Sequence, residues 1–117
     1  MRIKKQRRDN VLILTLLESR LDANNAPHFK SEIQHLVNSD IRGLVINIAN
    51  LEFIDSTGLG AIVKGLKLMD RRAAVAVCGA RDPILTMFKL TRMDKVMHIY
   101  DSEAEALDFI HTNLVFA

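Results

Sequence analysis

In the stretch FIDSTGLGAIVKG, residues 53 to 65, two apolar residues lead into a carboxylate, two adjacent hydroxyls and two glycines around a leucine. An apolar pattern of helical period follows. Hydroxyls and glycines at a strand-to-helix turn suit three chemistries: cradling a phosphate, acting as a nucleophile, or receiving a phosphoryl group. A phosphate-binding loop reads G-x-x-x-x-G-K-[ST], and Gly60 and Gly65 have that gap. Leu66 and Lys67 come next, however, so the lysine is one place late and the metal-binding hydroxyl is missing. A hydrolase elbow reads G-x-S-x-G, whereas Ile54 stands two residues before Ser56. His98 is available as a base for Ser56, but one serine and one histidine do not make a triad pattern. No catalytic residue is assigned, and the chain is not expected to be an enzyme.

Metal and redox chemistry are equally poorly supplied. His28, Glu32 and His35 share a helical face at spacings of four and three, yet no further strong ligand stands nearby, and a solvated polar face is expected. Cys78 lies in a run of small apolar residues and reads as core filling; a lone cysteine agrees with a reducing compartment. No cofactor and no metal are expected. Ser56 as a substrate fits better. Ser56 or Thr57 falls where a helix N-cap is expected, and the free amides and positive dipole end of that turn tolerate a phosphoryl group. Gly58 and Gly60 would keep the approach open for a partner's active site. Phosphorylation adds roughly −1.5 to −2 charges beside Asp55. Asp22, directly after the Leu21 that closes the first strand-like region, is expected on the same rim.

The elements that must position this turn follow from changes of hydrophobic period. VLILTLL (11 to 17), GLVINIA (43 to 49) and AAVAVCG (73 to 79) read as buried strands, with KVMHIY (95 to 100) a weaker fourth. Four helices fit between and after them. The first starts near Asn24 or Asn25, with Pro27 in its first turn and Phe29, Ile33, Leu36 and Val37 inward. A second begins in the quoted turn and buries Leu59, Ile62, Val63, Leu66 and Met69. The third follows Asp82 as cap and Pro83, with Ile84, Leu85 and Phe88 inward. A capping box of Ser102 and Glu105 opens the fourth, ahead of Leu107, Ile110 and Leu114. Strand and helix alternate, which predicts an α/β domain with a mixed, largely parallel sheet and an N-terminal hairpin or edge strand. Loops at the carboxyl ends of such strands are where ligands and partners meet the fold, and IDSTG is one of them.

A chain of 117 residues, 49% hydrophobic and 26% charged, fits one domain over residues 1–117 with a single core. No apolar run approaches the roughly 20 residues that cross a bilayer, so no membrane insertion and a cytoplasmic location are expected. Five of the 16 basic residues lie in the first eight positions. That arm reads as a solvated edge strand, and no aromatics interleave its charges to stack bases, so no nucleic-acid partner is expected.

The segment LVINIANLEFIDSTGLGAIV resembles the signature of STAS domains, the fold shared by bacterial anti-sigma factor antagonists and the cytoplasmic tails of sulfate transporters. SRLDANNAPHF and PILTMFKLTRMDKVMHIYDSEAEAL resemble earlier and later parts of the same family. The resemblance implies that Ser56 is phosphorylated by a GHKL-type serine kinase and that a PPM-type phosphatase reverses the modification. It implies partner switching, in which the unphosphorylated form binds a kinase or anti-sigma factor and frees that protein's other client. By the same resemblance, Asp22 and Asp55 are acidic positions near the phosphorylation site, and Thr57, Gly58 and Leu59 form the partner-contacting loop and helix start. Arg20 and Asn47 depart from the pattern, where a glycine and an acid are frequent. The alternative that the family offers is a non-enzymatic subunit regulating a membrane transport system.

Overall fold

A strand buried on both faces needs apolar residues at odd and even positions alike, which explains the unbroken hydrophobic runs of the central strands. The computed structural model describes residues 1–114. Its elements in chain order are β1 (Ile3–Arg8), β2 (Val11–Leu16), β3 (Arg20–Leu21), α1 (Ala26–Leu36), β4 (Gly43–Asn47), β5 (Phe53–Ile54), α2 (Ser56–Met69), β6 (Ala74–Cys78), α3 (Asp82–Leu90), β7 (Ile99–Tyr100) and α4 (Glu103–Thr112). Five strands form a mixed sheet in the order β1-β2-β4-β6-β7, with β1 antiparallel to β2 and all other pairs parallel. This is the largely parallel α/β sheet with four helices expected from the sequence.

Alternation assigns each face its helices. Leu12, Leu14 and Leu16 of β2, Leu44 and Ile46 of β4 and Val77 of β6 pack with Phe29 and Ile33 of α1, Ile62 and Met69 of α2, and Ile84 and Phe88 of α3. On the other face Val11, Ile13, Val45, Ala74, Ala76 and Cys78 meet Ala106 and Ile110 of α4. Small residues in β6 let that single helix lie close to the sheet. The expected inward positions Leu36, Val37, Val63 and Leu66 pack against the first cluster but stay partly exposed, because they sit at the margins of their helical stripes.

Several boundaries differ from the sequence reading. Leu21 does not close the first strand: β2 ends at Leu16, and Arg20–Leu21 forms a separate two-residue ladder with Phe53–Ile54. The run 95–100 shrinks to Ile99–Tyr100, because Met93–Lys95 turns as a 3-10 helix. Arg81, not Asp82, is the cap residue of α3, and Asp82 is its first helical residue. At α4 the Ser102 hydroxyl accepts from the Glu105 amide at 3.1 Å, but the Glu105 carboxylate meets the Ser102 hydroxyl instead of its backbone N–H. Only half of the capping box forms.

The basic arm is the edge strand β1, and it is tied down by carboxylates. Lys5 reaches Glu32 of α1 at 2.7 Å, Arg7 pairs with Asp40, and the Arg2 amide donates to Glu18 at 2.7 Å. These bonds hold the three carboxyls below their usual range, Glu32 through Lys5, Asp40 through Arg7 and Glu18 through the Arg2 amide. A carboxyl whose folded-state value is lowered contributes stability that is fully present above the ordinary carboxylate range and is lost as pH falls through that lowered value, so the edge strand should loosen on acidification.

Arg92 takes up the left-handed conformation, φ 59°, at the turn that ends α3. A side chain there is opposed by its own Cβ, and glycine is not. Arg92→Gly is therefore expected to raise the unfolding free energy by about 0.5–1 kcal/mol. Urea unfolding with an unchanged m-value would measure this, and a lower midpoint would show that the arginine side chain outweighs its backbone cost.

Candidate functional site

The short β3–β5 ladder builds the rim. Arg20 lies beside Phe53 and Leu21 beside Ile54, so Asp22 and Asp55 leave two neighbouring parallel strands at the same level. The sequence expectation that these two acids share a rim is met by a different element from the one expected. Asp55 is the N-cap of α2: its Oδ1 accepts from the Gly58 amide at 2.8 Å, and its Oδ2 accepts from the Ala23 amide at 3.2 Å. One carboxylate thereby joins the start of α2 to the loop after β3.

That loop is similarly braced. Asp22 Oδ1 accepts from the Asn24 amide at 3.0 Å, and its Oδ2 accepts from Arg20 Nε at 3.2 Å. Asn25 closes the turn, its Oδ1 accepting from the Asp22 amide and its Nδ2 donating to the Arg20 carbonyl. Arg20 also lies 4.3 Å above the ring of Phe53, which is 41% exposed. The guanidinium thus sits over an apolar ring while its Nε bonds a carboxylate. Arg20 and Asn25 were not expected at the site. Their signal in the sequence was the asparagine pair ahead of Pro27 and an exposed aromatic before the acid.

Ser56 and Thr57 are the first two residues of α2, and both are exposed. The expectation that a hydroxyl caps the helix is corrected: a carboxylate accepts the amide bond, because Asp55 has the extended backbone that a cap requires and Ser56 is already helical. Among the described residues neither hydroxyl is engaged, and both lie at the exposed surface. Gly58 and Leu59 lie beneath this surface. A Cβ at Gly58 would strike the Leu21 carbonyl, so this glycine serves close packing of α2 on β3, not an open approach; Leu59 belongs to the core. Gly60 is different. A Cβ there would meet nothing within 4 Å.

Gly60 borders an open groove of about 430 Å³ between α1 and α2, together with Pro27, Lys30, Ser56, Thr57 and Lys64. Other candidate chemistries lie elsewhere. His98 stacks at 4.3 Å on Phe109 of α4, the helix on the other face of the sheet from α2. Glu32, between His28 and His35, is held by the Lys5 ammonium at 2.7 Å. Cys78 is buried, and burial, reinforced by the Glu103 charge, pushes its thiol up to about 11. It is a neutral thiol packed under α4. Asn47 donates to Glu103 at 2.8 Å and accepts from the Ala49 amide at 2.9 Å, joining the end of β4 to α4. An ionised acid at this position would oppose Glu103, which accounts for the amide.

No helix among the described residues is long and apolar enough to cross a membrane. The chain is 28% identical over 109 residues to the anti-sigma F factor antagonist of Paenibacillus polymyxa, covering 92% of each. Its fold matches the crystal structure of an anti-sigma factor antagonist from Mycobacterium paratuberculosis with a TM-score of 0.84 at 23% identity, covering 94% of this chain and 93% of that one. It also matches the anti-sigma factor antagonist SpoIIAA in its unphosphorylated form, with a TM-score of 0.73 at 16% identity over 96% of this chain and all of the other. The family model for the STAS domain matches residues 2–106, which contain β1 to β7, the braced rim and the first turn of α4, and the chain belongs to the STAS domain family.

Proposed function

We propose that this chain is an anti-sigma factor antagonist that works by partner switching, with Ser56 as its phosphoacceptor. The observation that carries the reading is an exposed hydroxyl on the first residue of α2, beside a carboxylate whose two oxygens are both engaged. A rim held in this way offers a kinase a fixed target and changes its charge without changing its fold. In the transfer, Ser56 Oγ bonds to the γ-phosphorus of ATP held by a GHKL-type kinase, the bond to the β-phosphate oxygen breaks, ADP leaves, and the hydroxyl proton passes to a base of the kinase. A PPM-type phosphatase returns the serine by hydrolysis. The chain is substrate and binding partner in this cycle, and catalysis belongs to the other proteins.

Asp22, Asp55 and Thr57 supply the contact surface, with Gly58 and Leu59 supporting it from below. The unmodified rim binds the kinase or anti-sigma factor, and phosphorylation releases it. These proteins meet in the cytoplasm, through protein contacts without nucleic acid.

Capture of partners from the native host with Ser56→Ala as bait, followed by incubation of the parent with the captured kinase and ATP, tests the proposal. One phosphoryl group on Ser56 is expected, absent in Ser56→Ala and retained in Thr57→Ala. Because Thr57 has no capping duty, the last variant is the discriminating one: phosphate located on Thr57 would overturn the assignment. Recovery of a transport ATPase in place of a kinase or anti-sigma factor would overturn the switching role in favour of a transporter subunit.

A further inference from the structure

Among the described residues Arg2, Lys5, Arg7, Arg20 and Arg81 pair with carboxylates, and Lys30 and Lys64 are among the remaining basic residues that do not. Both lysines are exposed, and they border the groove from opposite walls, Lys30 on α1 and Lys64 on α2. Among the described residues no carboxylate lines this groove. The acids of the rim, Asp22 and Asp55, are engaged by Arg20 and by the amides of their own loops. The groove therefore presents two free cations beside two free hydroxyls.

Spacing on α2 places one of those cations on the same stripe as Ser56. Ser56, Gly60 and Lys64 are successive four-residue steps along one stripe of the helix, and helical side chains lean towards the N-terminus. Lys64 thus extends along the stripe towards Gly60, and over the roughly 12 Å of helix rise between the Cα atoms of residues 64 and 56 no side chain intervenes at that position. Glycine inside a helix is unfavourable relative to alanine, and no packing contact requires it at residue 60. Its effect is to keep the space beside Ser56 open.

We propose that Lys30 and Lys64 clamp the phosphoryl group carried by modified Ser56. This inference rests on Ser56 being the phosphoacceptor. The two ammonium groups match in number the roughly −1.5 to −2 charge that phosphorylation adds. In the unmodified chain the groove is open and cationic, suited to a carboxylate of the partner protein. In the modified chain the phosphoserine fills it and takes both cations, so release of the partner follows from internal competition as well as from repulsion.

The test uses full-length protein carrying phosphoserine installed at residue 56 during translation, which makes it independent of any kinase. Phosphorus-31 NMR titration should find the second phosphate ionisation about 0.5–1 pH unit lower in the parent than in Lys30→Gln/Lys64→Gln. The difference should shrink in 1 M salt, where the screening length is about 3 Å. Lys30→Arg/Lys64→Arg should keep the lowered value, separating charge from incidental repacking. Identical titration of the parent and the double Gln variant, with both shown folded by circular dichroism, would overturn the clamp. A kinase that ignores Ser56 would overturn the functional proposal but leave this titration unchanged.

Discussion

Ser56→Asp is expected to bind the captured kinase or anti-sigma factor roughly tenfold or more weakly than Ser56→Ala, which should bind at least as tightly as the unmodified parent. The sign comes from charge placement. A carboxylate at residue 56 adds an anion next to Asp55, whose own oxygens are held by Gly58 and Ala23 and cannot turn away. A partner that docks an acidic or apolar surface on the rim then faces an extra anion that must be desolvated. The fold should not suffer. An acid in the first turn of a helix is favourable by about 0.3–1 kcal/mol, so Ser56→Asp should melt no lower than the parent. Titration calorimetry of both variants, with thermal melts alongside, measures the two effects separately. Equal affinity for the Ala and Asp variants would sink the switch; weaker binding with a collapsed melting transition would instead report damage to the turn.

The strands and helices were legible because both signals are local. β2, β4 and β6 are apolar at every position but Thr15 and Asn47, and their helices carry stripes of period 3.6, so neither depends on distant residues. The rim was harder to read. β3 and β5 have two residues each, too few to show a period, and they exist only because Leu21 and Ile54 are brought side by side by elements that the chain makes elsewhere. The capping error at α2 has a similar origin: Asp, Ser and Thr are all good caps, and what selects Asp55 is the Ala23 amide 32 residues away, which engages its second oxygen. Lys30 and Lys64 were invisible for the same reason. Each reads alone as a solvated helix lysine, and only the packing of α1 on α2 makes them face one groove.

The two glycines of the turn, alike in sequence, are expected to respond in opposite directions to alanine. At residue 58 the new methyl would run into the Leu21 carbonyl carbon and oxygen, which are backbone and cannot rotate aside. Either β3 or the first turn of α2 must shift, and the shift strains the bond from the Gly58 amide to Asp55. Overpacking of this kind costs about 1–3 kcal/mol, and Gly58→Ala should fall at the upper end because the obstacle is main chain on one side and Ile54 on the other. Gly60→Ala meets open space and removes a glycine from a helix interior, so it should stabilise by up to about 1 kcal/mol. Urea unfolding of the pair, with m-values compared, measures both. A tolerated Gly58→Ala would mean that the helix start is not seated on β3, and with it would fall the rigid rim on which the switch depends. A destabilised Gly60→Ala would mean that the groove floor is packed in solution, leaving no room beside Ser56 for a phosphoryl group and its two lysines.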